Sequence, residues 1–371
     1  MKLKWKAILS IMSIILLIWA GLVGFIYEQG KEDLNLAIET RIASARDIAT
    51  TMEKGLYPSY QKRIRSLVST EASPARKKMV QAFYHRNRED LLKFSEPFYK
   101  VLQKESPELR SFAWILPDNT AFLRLHFQDL KGDNVAKMRP DIVAVNRQKR
   151  QIAAYATSGL GLGYHVSQPV FWQGEYCGAV QFGIDISQLV SLLKLSLNSP
   201  IGILIPSEKG QFIKQKYKQL PSLKVGEYLV LSANPTDFRI DNPELDWQAE
   251  RSWFTEQNKH YAMIRLLPLL DFNKKPVGYI VSKLDLSDEY FAIMARFWAV
   301  IGTSSLLLIL LFFLLYSSFN LLLKKIFQLN SSLEKQNSTL EQRVEERSAE
   351  LKKSKDEWVA MFNAIPDMVS I

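Results

Sequence analysis

The sequence predicts an α+β protein. Two tandem helix-and-strand modules sit on a long N-terminal helix, between two transmembrane helices, with a C-terminal coiled-coil helix. Three observations carry that prediction. Two uncharged apolar runs, residues 7–26 and 297–323, bracket the middle of the chain. Between them, short alternating segments bounded by turn residues interleave with helical ones. After the second run, residues 324–355 hold neither Gly nor Pro and are rich in Glu, Gln, Lys, Arg and Leu, the composition of a long solvated helix.

The first run has 20 residues. At 1.5 Å per residue it reaches about 30 Å, the thickness of the hydrocarbon layer. The second has 27 residues, enough to cross with tilt. Lys2, Lys4 and Lys6 precede the first run, and Lys324 and Lys325 follow the second. The positive-inside rule therefore puts residues 1–6 and both termini in the cytoplasm and residues 27–296 outside, with Arg296 a minor dissent. Trp5, Trp19, Tyr27, Trp298 and Tyr316 are candidate interface anchors. The alternative for the first run is a cleaved signal peptide. Against it, the run exceeds a usual h-region and no A-x-A site follows.

Residues 28–70 carry Leu34, Ala37, Ile38, Ile42, Ala45 and Ile48 at helical spacing, so a helix rises from the membrane. Residues 75–104 read as a second helix. Strands are expected at 111–116 and 121–127 around a P-D-N-T turn, then at 152–157, 163–172 and 176–185, the last two around a Q-G turn. Helices are expected at 139–149 and 186–196. This distal module spans about residues 75–196. A proximal module, about 197–290, shows strand candidates at 201–206, 211–217, 228–232, 261–268 and 276–284. Residues 285–296 then run helically into the second span.

The 371 residues carry a net charge of +10. Residues 27–296 hold 37 basic and 30 acidic residues without a concentrated basic run, which argues against nucleic-acid binding. The single cysteine, Cys177, excludes an internal disulfide, and the four histidines show no metal-ligand spacing. No H-E-x-x-H, P-loop, G-x-S-x-G or kinase signature occurs, so no catalytic residue, metal or cofactor is expected. An extracytoplasmic enzyme is disfavoured for the same reason.

The segment FAWILPDNTAFLRLHFQDLKGDNVAKMRP, with PVFWQGEYCGAVQFGIDIS downstream, resembles the double Cache sensor domains of bacterial receptors. The resemblance covers about residues 28–296 and is strongest over 109–190. It implies two PAS-like modules and small-molecule binding in the distal one. Strand alternation puts Phe122, Arg124 and His126 on one face and Ala121, Leu123, Leu125 and Phe127 on the other. The first set suits a pocket gripping a small carboxylate or other anion, because guanidinium offers a forked donor pair. Trp114, Tyr155 and Tyr164 are candidates for its apolar wall. Asp133, Arg139 and Asp185 complete the candidate ligand-binding set. Each has a plainer reading beside it. Arg124 can pair with Asp133 or Asp185, and His126 can be structural. Asp133 suits a turn, Asp185 an N-cap and Arg139 a cap. Gly159, Gly161 and Gly163 read as a mobile loop over the sheet.

In the tail, Ile326, Leu329, Leu333 and Leu340 follow alternating steps of three and four, with Gln336 at the missing position. Val344 and Leu351 continue after a stutter. A parallel coiled coil over 324–355, and hence a homodimer, is the natural reading. LEQRVEERSAEL resembles the connector helix of sensor kinases, and EWVAMFNAIPDMVSI, within residues 356–371, resembles the opening of a PAS domain that the sequence leaves incomplete. The resemblance implies the sensory and transmembrane portion of a signalling receptor of the inner membrane. Its output is expected to be a histidine kinase with a response-regulator partner. A diguanylate cyclase receptor, or a membrane-anchored binding or scaffold protein without output, is the alternative.

Overall fold

The computed structural model describes residues 2–69, 73–210, 221–240 and 245–364. Helix α1 (Lys2–Leu56) is followed at once by α2 (Pro58–Leu67). The single helix expected over 28–70 is thus broken at Pro58. Proline has no N–H for the preceding turn and disfavours helix at the residue before it. The expected helix over 75–104 is likewise two, α3 (Pro74–Tyr84) and α4 (Arg88–Glu105). Arg86 adopts φ 58°, and the Asn87 side chain accepts from Asp90 N–H at 3.1 Å. A left-handed residue followed by an N-cap stops one helix and starts the next.

The first sheet comprises β1 (Leu109–Ile115), β2 (Ala121–Arg124), β3 (Ile152–Ser158), β4 (Gly161–Trp172) and β5 (Glu175–Asp185), in the antiparallel order β2-β1-β5-β4-β3. Gln173 (φ 50°) and Gly174 (φ 86°) make the two-residue turn joining β4 to β5, as the Q-G dipeptide predicts. Gly178 sits at φ 132°, where a Cβ would meet the Ile115 carbonyl oxygen at 2.3 Å; only glycine lets β5 approach β1 there. One face of this sheet carries Phe112, Trp114, Val166, Val180 and Phe182, all fully buried. It packs on Ile64, Met79, Phe83, Leu91 and Tyr99 of α2 to α4 in one continuous core. Phe112 meets Phe182 edge-to-face at 5.0 Å, and Phe83 meets Trp114 at 4.9 Å. Burying each such ring contributes about 2–3 kcal/mol, plus a further increment from ring-ring geometry. On the opposite face, α5 (Pro140–Gln148) lies against β3, β4 and β5. Helix α6 (Ser187–Leu197) leads out to the second sheet.

Among the described residues the second sheet has six strands: β6 (Ile201–Pro206), β7 (Ser222–Val225), β8 (Tyr228–Leu231), β9 (Arg251–Glu256), β10 (Lys259–Leu270) and β11 (Pro276–Asp285). Their antiparallel order is β7-β8-β6-β11-β10-β9. The short helix α7 (Ser207–Gly210) follows β6. The expected strand at 211–217 lies outside the described residues. Ile42, Ala45 and Ala49 of α1 are buried in the core that also holds Ala262, Ile264 and Ile280. Arg46 Nε donates to the Arg265 carbonyl at 3.1 Å, fastening α1 to β10.

Glu32–Ile293 forms one compact unit, and residues 1–31 with 294–371 form another. In the second unit, two helices are long and apolar enough to cross a membrane. Their apolar side chains are exposed, among them Leu17 at 73% and Leu306 at 69%. Trp19 Nε1 donates to Ser304 Oγ at 3.2 Å, and the Tyr27 and Phe297 rings lie 5.7 Å apart. Helix α8 (Ser287–Ala364) continues through residues 324–355, the segment expected to form a coiled coil. The turn and strand of the PAS-like opening lie outside the described residues.

Candidate functional site

The face of the first sheet turned away from α2 to α4 is built from small and polar residues. Its register sets them in rows. Arg124 of β2 pairs with Ala113 of β1, which pairs with Gln181 of β5, which pairs with Ser167 of β4. In the next row, Ser111, Gly183 and His165 stand side by side. A Cβ at position 183 would fall 2.1 Å from Ser111 Oγ and 3.0 Å from His165 Cε1. Glycine there is what leaves room for the Ser111 hydroxyl and the His165 imidazole side by side.

Above these rows is a cavity of about 280 Å³. Ser111, Ala113, Ile115, His165 and Gln181 line its floor, and the segment from His126 to Arg139 together with Ser158–Leu160 lines its walls. The wall segment is anchored in several ways. Gly132 N–H donates to the Ala121 carbonyl at 2.9 Å, and Ala121 N–H donates to the Asp133 carbonyl at 3.0 Å. Arg124 grips Asp133 with both terminal nitrogens, at 2.5 and 2.8 Å, and donates to the Leu130 carbonyl at 3.0 Å.

Arg139 stands at the N-terminus of α5, just before Pro140, and is buried. Its Nε and Nη2 donate to the two oxygens of Asp141 at 3.0 and 2.6 Å, and Nη1 donates to Gln181 Oε1 at 2.8 Å. The Gln181 amide in turn donates to Asp141 Oδ2 at 3.2 Å and to Ser167 Oγ at 2.8 Å. Burial alone would raise the Asp141 pKa, but the guanidinium in contact outweighs it and holds the carboxyl below its usual range. Burial pushes His126 down to about 4, with Arg124 acting in the same sense. Burial, then the Arg139 charge, pushes His165 down to about 3. Both rings are therefore neutral at neutral pH. His126 Nδ1 lies against the Phe112 backbone, 3.3 Å from its N–H and 3.2 Å from its carbonyl. His165 is 5% exposed, with both ring nitrogens buried and the Ala156 backbone beside it.

Of the residues singled out in the sequence, Arg124, His126, Asp133 and Arg139 line this cavity. The other five lie elsewhere. Trp114 is fully buried on the helix-facing side against Phe83. Tyr155 and Tyr164 also face the helices: Tyr164 stacks on Tyr57 at 3.9 Å, and Tyr155 meets Tyr57 edge-on at 5.9 Å. Phe122 lies 5.9 Å from Phe83. Asp185 is at the sheet's margin. Its Oδ2 is 2.6 Å from Arg110 Nε, and its Oδ1 accepts from Ser187 N–H at 2.8 Å, at the start of α6.

The expected alternation over 121–127 fails for a local reason. The β1–β2 register shifts between Trp114 and Ile115, so Ala121 joins Arg124 on the cavity face and Phe122 turns away. Nor are all three loop glycines in a loop. Gly161 and Gly163 belong to β4, and only Gly159 is in the turn. Sequence reading missed His165, Gln181 and Ser111. The signal was available as alternation: His165 and Ser167 share a face of β4, opposite Gly183 and Gln181.

The family model for the double sensory domain of two-component sensor kinases (dCache_3) matches residues 38–290, more than half of the chain. A comparison with curated protein sequences found no match. Among solved structures, the sensor domain of the Vibrio cholerae histidine kinase DctB is similar at 14% identity and TM-score 0.43, covering 67% of this chain and 98% of that one. The sensory domain of the Campylobacter jejuni chemoreceptor Tlp3 with isoleucine bound is similar at 9% identity and TM-score 0.43, covering 70% and 96%. The match over 38–290 places this chain in the double Cache family of two-component sensor-kinase sensory domains.

Proposed function

We propose that this chain is the sensing and membrane-crossing part of a receptor that binds a small molecule in the first-sheet cavity. In this reading residues 27–296 lie in the periplasm, residues 7–26 and 297–323 cross the inner membrane, and both termini are cytoplasmic. The observation that carries it is the cavity of about 280 Å³ with buried polar groups on its floor. A concave cleft with a few convergent polar groups among apolar ones is the usual form of a ligand site. Ligand binding biases two packings of a homodimer, by as much as its affinity differs between them. The change passes along α8, whose exposed Leu329, Leu333 and Leu340 supply the seam for a second copy. The output is a histidine kinase acting on a response regulator, with a diguanylate cyclase as the alternative.

The test is thermal stabilisation of the full chain in detergent micelles across a metabolite library, because a ligand that binds only the folded state raises stability by RT ln(1 + L/Kd), where L is the free ligand concentration. Arg124→Ala is expected to lose the ligand-induced shift while remaining folded. An unchanged shift in that variant removes Arg124 from the site. Reporter fusions at positions 150 and 340 that report the same compartment overturn the topology.

A further inference from the structure

A second cavity, of about 270 Å³, lies in the other module, where α1, the β9–β10 hairpin and the start of α8 meet. It shares no lining residue with the first-sheet cavity. Register builds one of its walls. Thr255 pairs with His260 and Trp253 pairs with Ala262, so these side chains share one face of the hairpin. That is the face on which Ala262 joins the core holding α1. Ile38 of α1 and Leu286 and Tyr290 at the start of α8 close the other sides. The hairpin is tied to α8 by its backbone. Leu286 N–H donates to the His260 carbonyl at 2.8 Å, and His260 N–H donates to Ser287 Oγ at 3.0 Å.

The lining differs in kind from that of the first cavity. No Asp, Glu, Lys or Arg is part of it, and rings make up most of it. The His260 and Tyr290 rings lie 3.7 Å apart, and Phe254 stacks on Tyr261 at 5.5 Å. Charges beside the cleft are taken up in three ion pairs: Arg251 with Glu39, Arg41 with Glu289 at 3.9 Å, and Lys259 with Asp285 at 3.0 Å. An ionic ligand would lose its hydration here against walls that offer ring faces instead of a formal counter-charge. The Thr255 hydroxyl, 3.5 Å from His260 Nδ1, can give or take one hydrogen bond. An apolar cavity of about 150 Å³ holds a benzene, so this one has room for two fused rings. Trp253 is 47% exposed on the edge strand of the sheet, so an occupant of the cleft would cover a large ring that the fold leaves partly in water.

We propose that this cleft is a second ligand site, independent of the first-sheet cavity, and that it takes an uncharged bicyclic aromatic molecule with one hydrogen-bonding group. The ligand lies against the Trp253, His260 and Tyr290 rings and reaches the Thr255 hydroxyl. Its contact with Leu286 and Tyr290 puts it directly on the first turn of α8.

The test is the Tm of the full chain in detergent micelles at pH 7.5, followed by circular dichroism. The probes are indole and 1-naphthol, with 1-naphthalenesulfonate as the charged analogue and cyclohexanol as a ring without a π face. At ten times Kd, indole or 1-naphthol is expected to raise Tm by about 3–6 °C, and the other two to leave it unchanged. Thr255→Trp places a large ring in the cleft from an exposed strand position and is expected to abolish the rise. Trp253→Leu removes one ring and is expected to weaken the response several-fold; it carries the test should Thr255→Trp fail to fold. No rise with either bicyclic probe overturns the proposal. So does a full rise in folded Thr255→Trp or Trp253→Leu, which would place the probe in the micelle or elsewhere on the chain. An equal rise with the sulfonate overturns the uncharged ligand, and an equal rise with cyclohexanol overturns the aromatic one. Because the two cavities share no residue, each of these results leaves the first-sheet site standing or falling on its own test.

Discussion

Replacing Arg139 by Met should be strongly destabilising, and its size follows from the burial of its partner. Asp141 is 4% exposed and takes two charge-assisted hydrogen bonds from Arg139. Removing the guanidinium leaves the carboxylate with the Gln181 amide as its remaining side-chain donor. Breaking one side of a buried pair costs about 3–5 kcal/mol, because the other charge stays buried without compensation. The Asp141 carboxyl, now governed by burial, should rise in pKa and take up a proton. Arg139→Met is therefore expected to lose about 3–5 kcal/mol at pH 7.5. The double variant Arg139→Met with Asp141→Asn should recover about half or more, since an uncharged side chain is far cheaper to bury. The assay is a double-mutant cycle by urea unfolding of the full chain in detergent micelles, followed by tryptophan fluorescence. A loss below about 1 kcal/mol in Arg139→Met, the range of an exposed pair, would refute the reasoning. So would additive single and double variants, because coupled partners must deviate from additivity.

The remaining predictions use other parts of the same site and the tail. Arg124→Ala should cost only about 0–1 kcal/mol, because its partner Asp133 is 57% exposed; a loss matching that of Arg139→Met would contradict this. His126 and His165 have native pKa values lowered to about 4 and about 3 from 6.5. Below pH 6.5 the unfolded chain takes up protons that the folded one refuses, so their contribution is full above pH 6.5 and is lost as pH falls toward 4 and then 3. Urea midpoints should fall steeply across that window, and His165→Gln should flatten the slope. Gly183→Ala should cost about 1–3 kcal/mol by forcing Ser111 and His165 apart, measurable as a lowered Tm. A cysteine in place of Leu333, which is 54% exposed, should form an intermolecular disulfide in membranes, read on a non-reducing gel. Its failure alongside exposed controls such as Lys335 would argue against a parallel seam.

Much of the element order was legible because local chemistry wrote it. Proline and asparagine punctuate the helices, and the Q-G pair turns β4 into β5. Strand β9 was not read, because its turn to β10 is made by Gln257 and Asn258 at positive φ without a glycine. Strand β7 was missed for want of apolar content: its four residues, Ser222–Val225, alternate exposed and half-buried at the edge of the sheet.

The sequence by itself determined the two apolar helices, the helical tail, the α+β alternation and the motifs that mark the family, because each depends on residues close together in the chain. Tertiary structure alone decided which face of each strand meets the helices and which meets the cavity. Trp114, Phe122, Tyr155 and Tyr164 are as suitable for a pocket wall as for a core, and only the packing of α2 to α4 assigns them to the core. His165 became a site residue only when register brought it beside Gly183 and Ser111. The pairing of Arg139 with Asp141 and Gln181 joins residues up to 42 positions apart. A one-residue shift at Trp114/Ile115 was enough to turn Phe122 away from Arg124, because side chains on a strand change face with every step.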